Sequence, residues 1–368
     1  MKIIQLITCM EAGGVQRIAF LLKSEFDARG YDSSICFLYE KRPAYNGLEG
    51  IHSLIDHPPA LLDYLKIVVR LTRSIVREKP DVLITHTYYA NVIGHVLSTV
   101  LGVRYRIAVQ HNPTQSYPRL ARIADSMVGS IGIYTSNVVV SKTVAESLAS
   151  YPRSYRERVS VVYNGVPTPP EPSPRDETRR RWNLPLDAAV LVSVGRFSHQ
   201  KNQEFLIRLL QANKELHLLL VGDGELRDRL HDLPVELNVD DRVHFTGEVS
   251  SDEASSLISC GDILALPSRF EAVGLVVLEA MMLGKPVVSN DIPSSREFIG
   301  EDGILVDIAS PAKWSSAIQD LLDRPEVVSA MVSRAKLKVR RFSVSRMADG
   351  YEEKMAPTRL HRLARSED

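Results

Sequence analysis

Short apolar runs alternate with amphipathic helical stretches along nearly the whole chain, and this alternation constrains the fold more than any other feature. Residues 3–8 read as a buried strand. After the glycines at Gly13-Gly14, Ile18, Leu21, Leu22 and Phe26 recur at the spacing of one helix face, and residues 33–38 form the next strand. Further strands are expected at 81–85, 106–109, 137–140 and 159–162, with helices at 61–77, 91–102, 120–130 and 143–150. Residues 41–59, rich in Pro, Gly and Asn, read as loop. The second half repeats the pattern, with strands at 190–194, 218–221, 243–245, 263–266, 287–289 and 304–306 and helices in the intervals. Alternation of this kind implies α/β architecture with parallel sheets and helices on both faces.

Between the halves lies NGVPTPPEPSP, residues 164–174, with five prolines. Proline removes backbone donors and disfavours helix before it, so this stretch reads as a semi-rigid connector. It sets domains of 1–165 and 166–341, followed by an Arg-rich helical tail at 342–368.

Charge separates the halves more than it marks the whole. The 368 residues carry no formal net charge, but residues 1–165 hold 19 Lys/Arg against 13 Asp/Glu, a net +6 balanced by −6 in the remainder. A basic half suits an anionic partner such as a phosphorylated acceptor or a lipid surface, and equally a solvated face balanced by the acidic half. Cys9, Cys36 and Cys260 are scattered, with no zinc-ligand spacing, which favours a reducing compartment. The apolar opening MKIIQLITCM meets Glu11 at once and reads as a strand, not a signal peptide. The run 91–103 is interrupted by His95 and falls short of the roughly 20 residues a membrane span needs. The expected location is cytoplasmic, with peripheral association at the inner face of the membrane as an option. Nucleic acid is not among the expected partners.

Chemistry-bearing groups gather where strands end, the edge at which open α/β sheets bind ligands. Gly13-Gly14 lets a backbone approach a ligand closely, or makes a plain tight turn. His111, in Gln110-His111-Asn112, can hydrogen-bond a sugar hydroxyl or an oxyanion, or serve the structure. Gly195-Arg196-Phe197-Ser198-His199-Gln200-Lys201-Asn202 follows a fully buried strand. Arg196 and Lys201 there have the charge to neutralise a diphosphate, and Asn202 suits a helix N-cap. Glu271 and Glu279 stand eight residues apart across the uncharged AVGLVVL, with Glu271 on a loop and Glu279 one turn into a helix. They could clamp a diol, act as an acid/base pair, or make ordinary salt bridges. Gly274, Leu275 and Val276 open that helix, and their amides form a natural anion cradle. Val221-Gly222-Asp223-Gly224 and Thr246-Gly247-Glu248-Val249 read as turns with helix caps, the second with the alternative of packing beside a nucleobase.

Taken together, Gly13-Gly14, Gly195-Arg196 with Lys201-Asn202, Val221-Gly222-Asp223-Gly224, Phe245-Thr246-Gly247 and the E-x7-E pair within FEAVGLVVLEA resemble the retaining glycosyltransferases of family 4. The resemblance implies a GT-B fold: two Rossmann-like domains with parallel sheets facing across a cleft. The N-terminal domain would bind the acceptor, the C-terminal domain would bind a nucleotide sugar, and the tail would cross back to the first domain. It implies that Arg196 and Lys201 bind the donor diphosphate, and that the amides of Gly274, Leu275 and Val276 hold its distal phosphate. Glu279 would clamp the ribose and Glu271 would contact the transferred sugar. His111, with a catalytic part, and the Gly14 backbone would complete the site. No Asp-x-Asp metal motif is present, and no metal or cofactor is expected beyond the nucleotide-diphosphate sugar as co-substrate. Ala272-Val273 replaces a glycine and an aromatic residue common in the family, which loosens any inference about the donor sugar.

The implied reaction moves a hexose or amino-hexose, from UDP in preference to GDP, to a lipid-linked glycan or surface polysaccharide. A small-molecule or natural-product acceptor is the alternative, and a non-catalytic scaffold a further one. A nicotinamide-dependent oxidoreductase on a similar layered fold would need G-x-G-x-x-G, which is missing.

Overall fold

The computed structural model describes residues 1–11, 13–42, 45 and 47–355. The chain divides into two compact units, Met1–Gly165 together with the segment beginning at Phe342, and Val166–Arg341.

The N-terminal unit is built on seven strands: β1 (Lys2–Met10), β2 (Asp32–Glu40), β3 (Ile51–Ser53), β4 (Val82–Thr85), β5 (Tyr105–Gln110), β6 (Ser136–Val139) and β7 (Val159–Val161). All pairs are parallel, in the order β3-β2-β1-β4-β5-β6-β7. The strands are continuous apolar runs because helices cover both faces. Ile4, Leu6 and Leu83 pack with Ile67, Leu71 and Ile75 on one face, while Ile7, Ile35 and Phe37 pack with Ala19 on the other. Four helices of this unit matter below: α1 (Gly14–Ala28), α2 (Asp63–Glu78), α3 (Tyr88–Val100) and α4 (Arg119–Ser130). Strand β3 corrects the sequence reading of 41–59 as loop. It is a three-residue edge strand, too short for an alternation to show.

The C-terminal unit carries β8 (Ala189–Val194), β9 (Leu216–Val221), β10 (Val243–Gly247), β11 (Ile263–Leu266), β12 (Val287–Asn290) and β13 (Ile304–Val306). Their order is β10-β9-β8-β11-β12-β13, again all parallel. Both sheets therefore wind outward in two directions from a central pair, β1/β4 in one and β8/β11 in the other. The crevice at the carboxyl ends of such a pair is where doubly wound sheets take ligands. Trp314, Phe197 and a set of leucines from β9 and its flanking helices fill the C-terminal core. The fully buried Arg179 guanidinium steadies the opposite end of β8 and β11. It donates to the carbonyls of Cys260 (2.9 Å), Pro185 (2.9 Å) and Ala188 (2.9 Å) and to Asp262 (2.8 Å).

The helix Val344–Met355 lies in the N-terminal unit against α1. Arg29 holds it through Asp349 (2.8 Å), Glu352 (3.0 Å) and the Ser345 carbonyl (2.8 Å). The remainder of the tail expected as helix, residues 356–368, lies outside the described residues. The Gly165 amide donates to Met347 Sδ at 3.2 Å, and a Cβ on Gly165 would stand 2.5 Å from Val344 Cα. Gly165→Ala is therefore expected to cost about 1–3 kcal/mol, as overpacking does. Urea unfolding would read the loss, and hydrogen exchange would show the helix Val344–Met355 loosening first.

Three histidines, His86, His95 and His111, are buried in this unit. Burial pushes His95 and His111 down to about 3 and His86 well below the ordinary value. The folded chain holds these rings neutral, whereas the unfolded chain takes up protons near pH 6.5. Stability is therefore full above that pH and falls as the pH drops toward 3, by at most about 1.4 kcal/mol per pH unit for each ring. Denaturant midpoints at pH 7 and pH 5, above the main carboxylate range, should show the loss. Equal midpoints would contradict neutral burial.

Candidate active site

In the C-terminal unit the sequence-predicted groups gather beyond β8 and β11, the central pair. After β8 the chain turns at Gly195, whose φ of +149 suits glycine and brings its Cα close to the Lys201 stem. Two further glycines permit neighbouring loops to nest. A Cβ on Gly222 would lie 2.3 Å from the Gly195 carbonyl oxygen, and one on Gly224 would lie 2.4 Å from that of Phe197. The Phe197 amide closes the contact by donating to the Asp223 carbonyl at 2.9 Å. The GDG turn, read from sequence as a capped turn, is thus the floor against which Arg196 and Phe197 rest. Phe197 is buried, and Arg196 stands exposed beside it.

The loops after β8 and β11 are stitched together. The Arg269 amide donates to the Gln200 carbonyl (2.8 Å), and Gln200 Nε2 donates to the Phe270 carbonyl (3.0 Å). Asn202 belongs to this seam and corrects the N-cap reading. It precedes the helix Gln203–Leu209 but adopts left-handed backbone, φ +57, and makes no side-chain cap. Its amide instead donates to the Pro267 carbonyl (3.3 Å) and accepts from Arg269 (3.1 Å).

Lys201 and Glu271 meet across the seam. Lys201 Nζ lies 2.5 Å from Glu271 Oε1, which also accepts from Ser268 Oγ at 2.8 Å. The Glu271 side chain is only 9% exposed, so its charge is held by two donors out of water. Of the three sequence readings for this carboxylate, a salt bridge is present, with Lys201 as partner. Ser268, fully buried, was missed from sequence. So was Asn290, which fixes the Ser268 carbonyl at 2.8 Å.

Gly274 then takes φ +70 and starts the helix Leu275–Met282. The Val277 amide is used by the Gly274 carbonyl at 2.8 Å. Those of Leu275 and Val276, like all first amides of a helix, have no intrahelical acceptor and carry the positive end of its dipole. Glu279 is half-buried on this helix, one turn in.

In the N-terminal unit Gly14 opens α1, and a Cβ there would meet nothing within 4 Å. Space, not backbone strain, therefore distinguishes this position. Ala12 lies outside the described residues. His111 leaves β5 and is 6% exposed. Its Nε2 is 3.0 Å from His86 Nδ1, and His86 Nε2 is 2.9 Å from Gln5 Oε1. His86 and Gln5 were both passed over in the sequence. The available signal was position alone, since His86 leaves β4 as His111 leaves the adjacent β5. Gln110, the preceding residue, donates to the buried Asp125 carboxylate at 3.1 Å and accepts from Tyr117 at 2.9 Å. Burial raises the Asp125 carboxyl, against the stabilising hydroxyls of Tyr155 and Tyr134, each at 2.9 Å.

The C-terminal unit can neutralise an anion at its loop seam, and the N-terminal unit can offer hydrogen bonds to hydroxyls. Known proteins with the same organisation define its class. The family model described as Glycosyltransferase Family 4 matches residues 12–169, and that described as Glycosyl transferases group 1 matches residues 174–338. An uncharacterized glycosyltransferase of Methanocaldococcus jannaschii is 32% identical over 339 residues, 84% of this chain and 85% of that one. The D-inositol 3-phosphate glycosyltransferase of Thermobispora bispora is 28% identical over 342 residues, 83% of this chain and 78% of that one. Among solved structures, Anabaena HepE in complex with UDP and glucose superposes with a TM-score of 0.83 at 21% identity, covering 96% of this chain and 99% of that one. With its two doubly wound parallel sheets and these relatives, the chain belongs to the glycosyltransferases of family 4 and has the GT-B fold.

Proposed function

We propose that this glycosyltransferase moves a hexose or amino-hexose, with retention, from a UDP-sugar to a lipid-linked glycan or surface polysaccharide. The observation that carries the donor half is the loop seam beyond β8 and β11. It sets Arg196 and Lys201 on one loop and directs the adjoining loop into the helix start at Gly274, Leu275 and Val276. A diphosphate leaving group needs cationic and amide stabilisation as charge develops on it, and these groups supply both without a metal. Glu279 serves as the ribose clamp and Glu271 as a contact to the transferred sugar. In the N-terminal unit His111 and the Gly14 backbone serve as sugar contacts. HepE, bound to UDP and glucose, supports UDP as the nucleotide.

In the proposed step the C1–O bond to the distal phosphate breaks while the acceptor oxygen bonds C1 on the same face. The acceptor proton passes to the departing phosphate oxygen. Glu271 is not the nucleophile in this reading; Lys201 and Ser268 hold its Oε1, and it serves as a sugar contact. UDP and UDP-sugars should raise the melting temperature and undergo slow hydrolysis. Stabilisation by NAD and not by UDP or GDP would contradict the reading. Glu279→Ala should weaken UDP binding by about 1.5–3 kcal/mol, the worth of a charged hydrogen bond, as measured by titration calorimetry.

The acceptor half rests on the surface of the N-terminal unit. Helix α3 packs against both α2 and α4. On these helices and just before α2 stand exposed Leu61 (87%), Leu62, Leu65 (70%), Val69, Val76, Val100 (81%), Leu120 (80%) and Met127. Exposed Lys66, Arg70, Arg73, Arg77 and Arg119 border them, whereas Asp63 and Asp125 are buried and Glu78 is half-buried. Asp56, exposed just before α2, lies within electrostatic reach of Arg70, and Lys66 and Arg77 pair with Asp63 and Glu78, but Arg73 and Arg119 add positive charge among the exposed apolar side chains. Exposed apolar and cationic side chains on the same helices suit an anionic bilayer, where a lipid-linked acceptor resides. No helix among the described residues is long and apolar enough to cross a membrane, so this contact is peripheral. A small phosphorylated polyol is the second reading, favoured by the name of the Thermobispora relative. Co-sedimentation decides between them. Vesicles of phosphatidylglycerol should bind the enzyme and neutral vesicles should not, and a Leu65→Glu, Leu120→Glu double variant should abolish binding while leaving UDP affinity intact. Equal, negligible binding to both vesicle types would favour the soluble acceptor.

A further inference from the structure

Gln5, His86 and His111 form a buried chain with a direction, and the direction can be derived. Gln5 lies on β1, fully buried, with its Nε2 donating to the Ala19 carbonyl of α1 at 3.0 Å. A carbonyl accepts only, so the Gln5 amide cannot turn over without losing this bond. Its Oε1 therefore faces His86 Nε2 at 2.9 Å and requires a proton there. A neutral His86 protonated at Nε2 has a bare Nδ1, which accepts from His111 Nε2–H at 3.0 Å. His111, neutral in turn, is left with a lone pair on Nδ1.

We propose that Gln5 and His86 are positioning residues that lock His111 in its Nε2–H tautomer, so that His111 Nδ1 accepts a hydrogen bond from a sugar hydroxyl. The sequence left His111 open to a hydroxyl or an oxyanion. The chain decides for the hydroxyl, because an oxyanion needs an N–H and the lone pair would repel it. The same lock makes His111 a poor general base, since a proton on Nδ1 would create a buried imidazolium with no carboxylate on either ring of the pair among the described residues. Proton removal from the acceptor is thereby left to the departing phosphate. Second-sphere partners commonly set a histidine's tautomer in this way. The contact to sugar rests on the function proposed above, whereas the tautomer lock stands on this geometry alone.

The two are tested separately with the full chain labelled with ¹⁵N in its histidines. Side-chain ¹⁵N–¹H correlation at pH 7, with His111 assigned by its loss in His111→Ala, should show a protonated Nε2 and a bare Nδ1 for both His86 and His111. His86→Phe, which keeps an aromatic ring, should send His111 to a tautomer mixture and raise the UDP-sugar KM or lower kcat by about tenfold, the effect of one misplaced hydrogen bond. His86→Asn, whose amide oxygen can accept from His111, should recover the tautomer and part of the activity. Gln5→Glu should favour a charged His86, reverse the chain and place the His111 proton on Nδ1. Protonated Nδ1 in the wild-type, or a His111 signature indifferent to His86→Phe in a folded variant, overturns the lock. If the tautomer is as stated but His111→Ala leaves both kcat and KM unchanged, the sugar contact fails and the lock survives.

Discussion

The ion pair between Lys201 and Glu271 is the joint on which the C-terminal site depends. It closes a seam in which Gln200, Asn202 and Arg269 already tie the loop after β8 to the loop after β11. A lysine has a long, flexible stem, and ordering it costs side-chain entropy. Holding the ammonium on a carboxylate that is largely out of water offsets that cost and sets both groups before a ligand arrives. The pair is neutral as a unit. A diphosphate would therefore draw on Arg196 and the helix amides for net positive field, with Lys201 contributing direction as much as charge.

The seam exists because of topology. A doubly wound sheet reverses its winding between β8 and β11, so the loops that leave these adjacent strands lie side by side at the carboxyl edge, where such sheets take ligands. Glycine then allows the walls to close. Gly195, Gly222 and Gly224 let the loops after β8 and β9 approach within distances that a Cβ would forbid. The N-terminal unit repeats the plan. Its central pair is β1 and β4, and the Gln5–His86 contact bridges those two strands before passing to His111 beyond β5. In each unit the central strand pair carries a polar link that fixes the group beside it, an ion pair in one and a histidine chain in the other.

Much of this was legible in the sequence because it is local. Buried strands ending in glycine or a polar residue mark the carboxyl edge of a parallel sheet. The helix start at Gly274 follows from residues adjacent in sequence. What escaped reading depends on partners far apart in the chain. Lys201 and Glu271 are 70 residues apart, so sequence could offer a clamp, an acid/base pair or a salt bridge for Glu271 without deciding. Asn202 has the identity of an N-cap and the position of one, yet its left-handed backbone turns its amide to the neighbouring loop. His86 looks like one more strand-end residue until Gln5, 81 residues away, gives its ring an orientation. Strand β3 is three residues long, below the length at which any period is visible.

The central claim is that the loop seam and the helix start beyond β8 and β11 hold the diphosphate of a UDP-sugar. A crystal structure of the protein soaked with UDP-glucose tests it most directly. The account predicts phosphate oxygens within hydrogen-bond distance of Arg196, Lys201 and the amides of Leu275 and Val276, with the ribose on Glu279. A nucleotide seated away from this helix start, or one whose phosphates contact neither Arg196 nor Lys201, would contradict it.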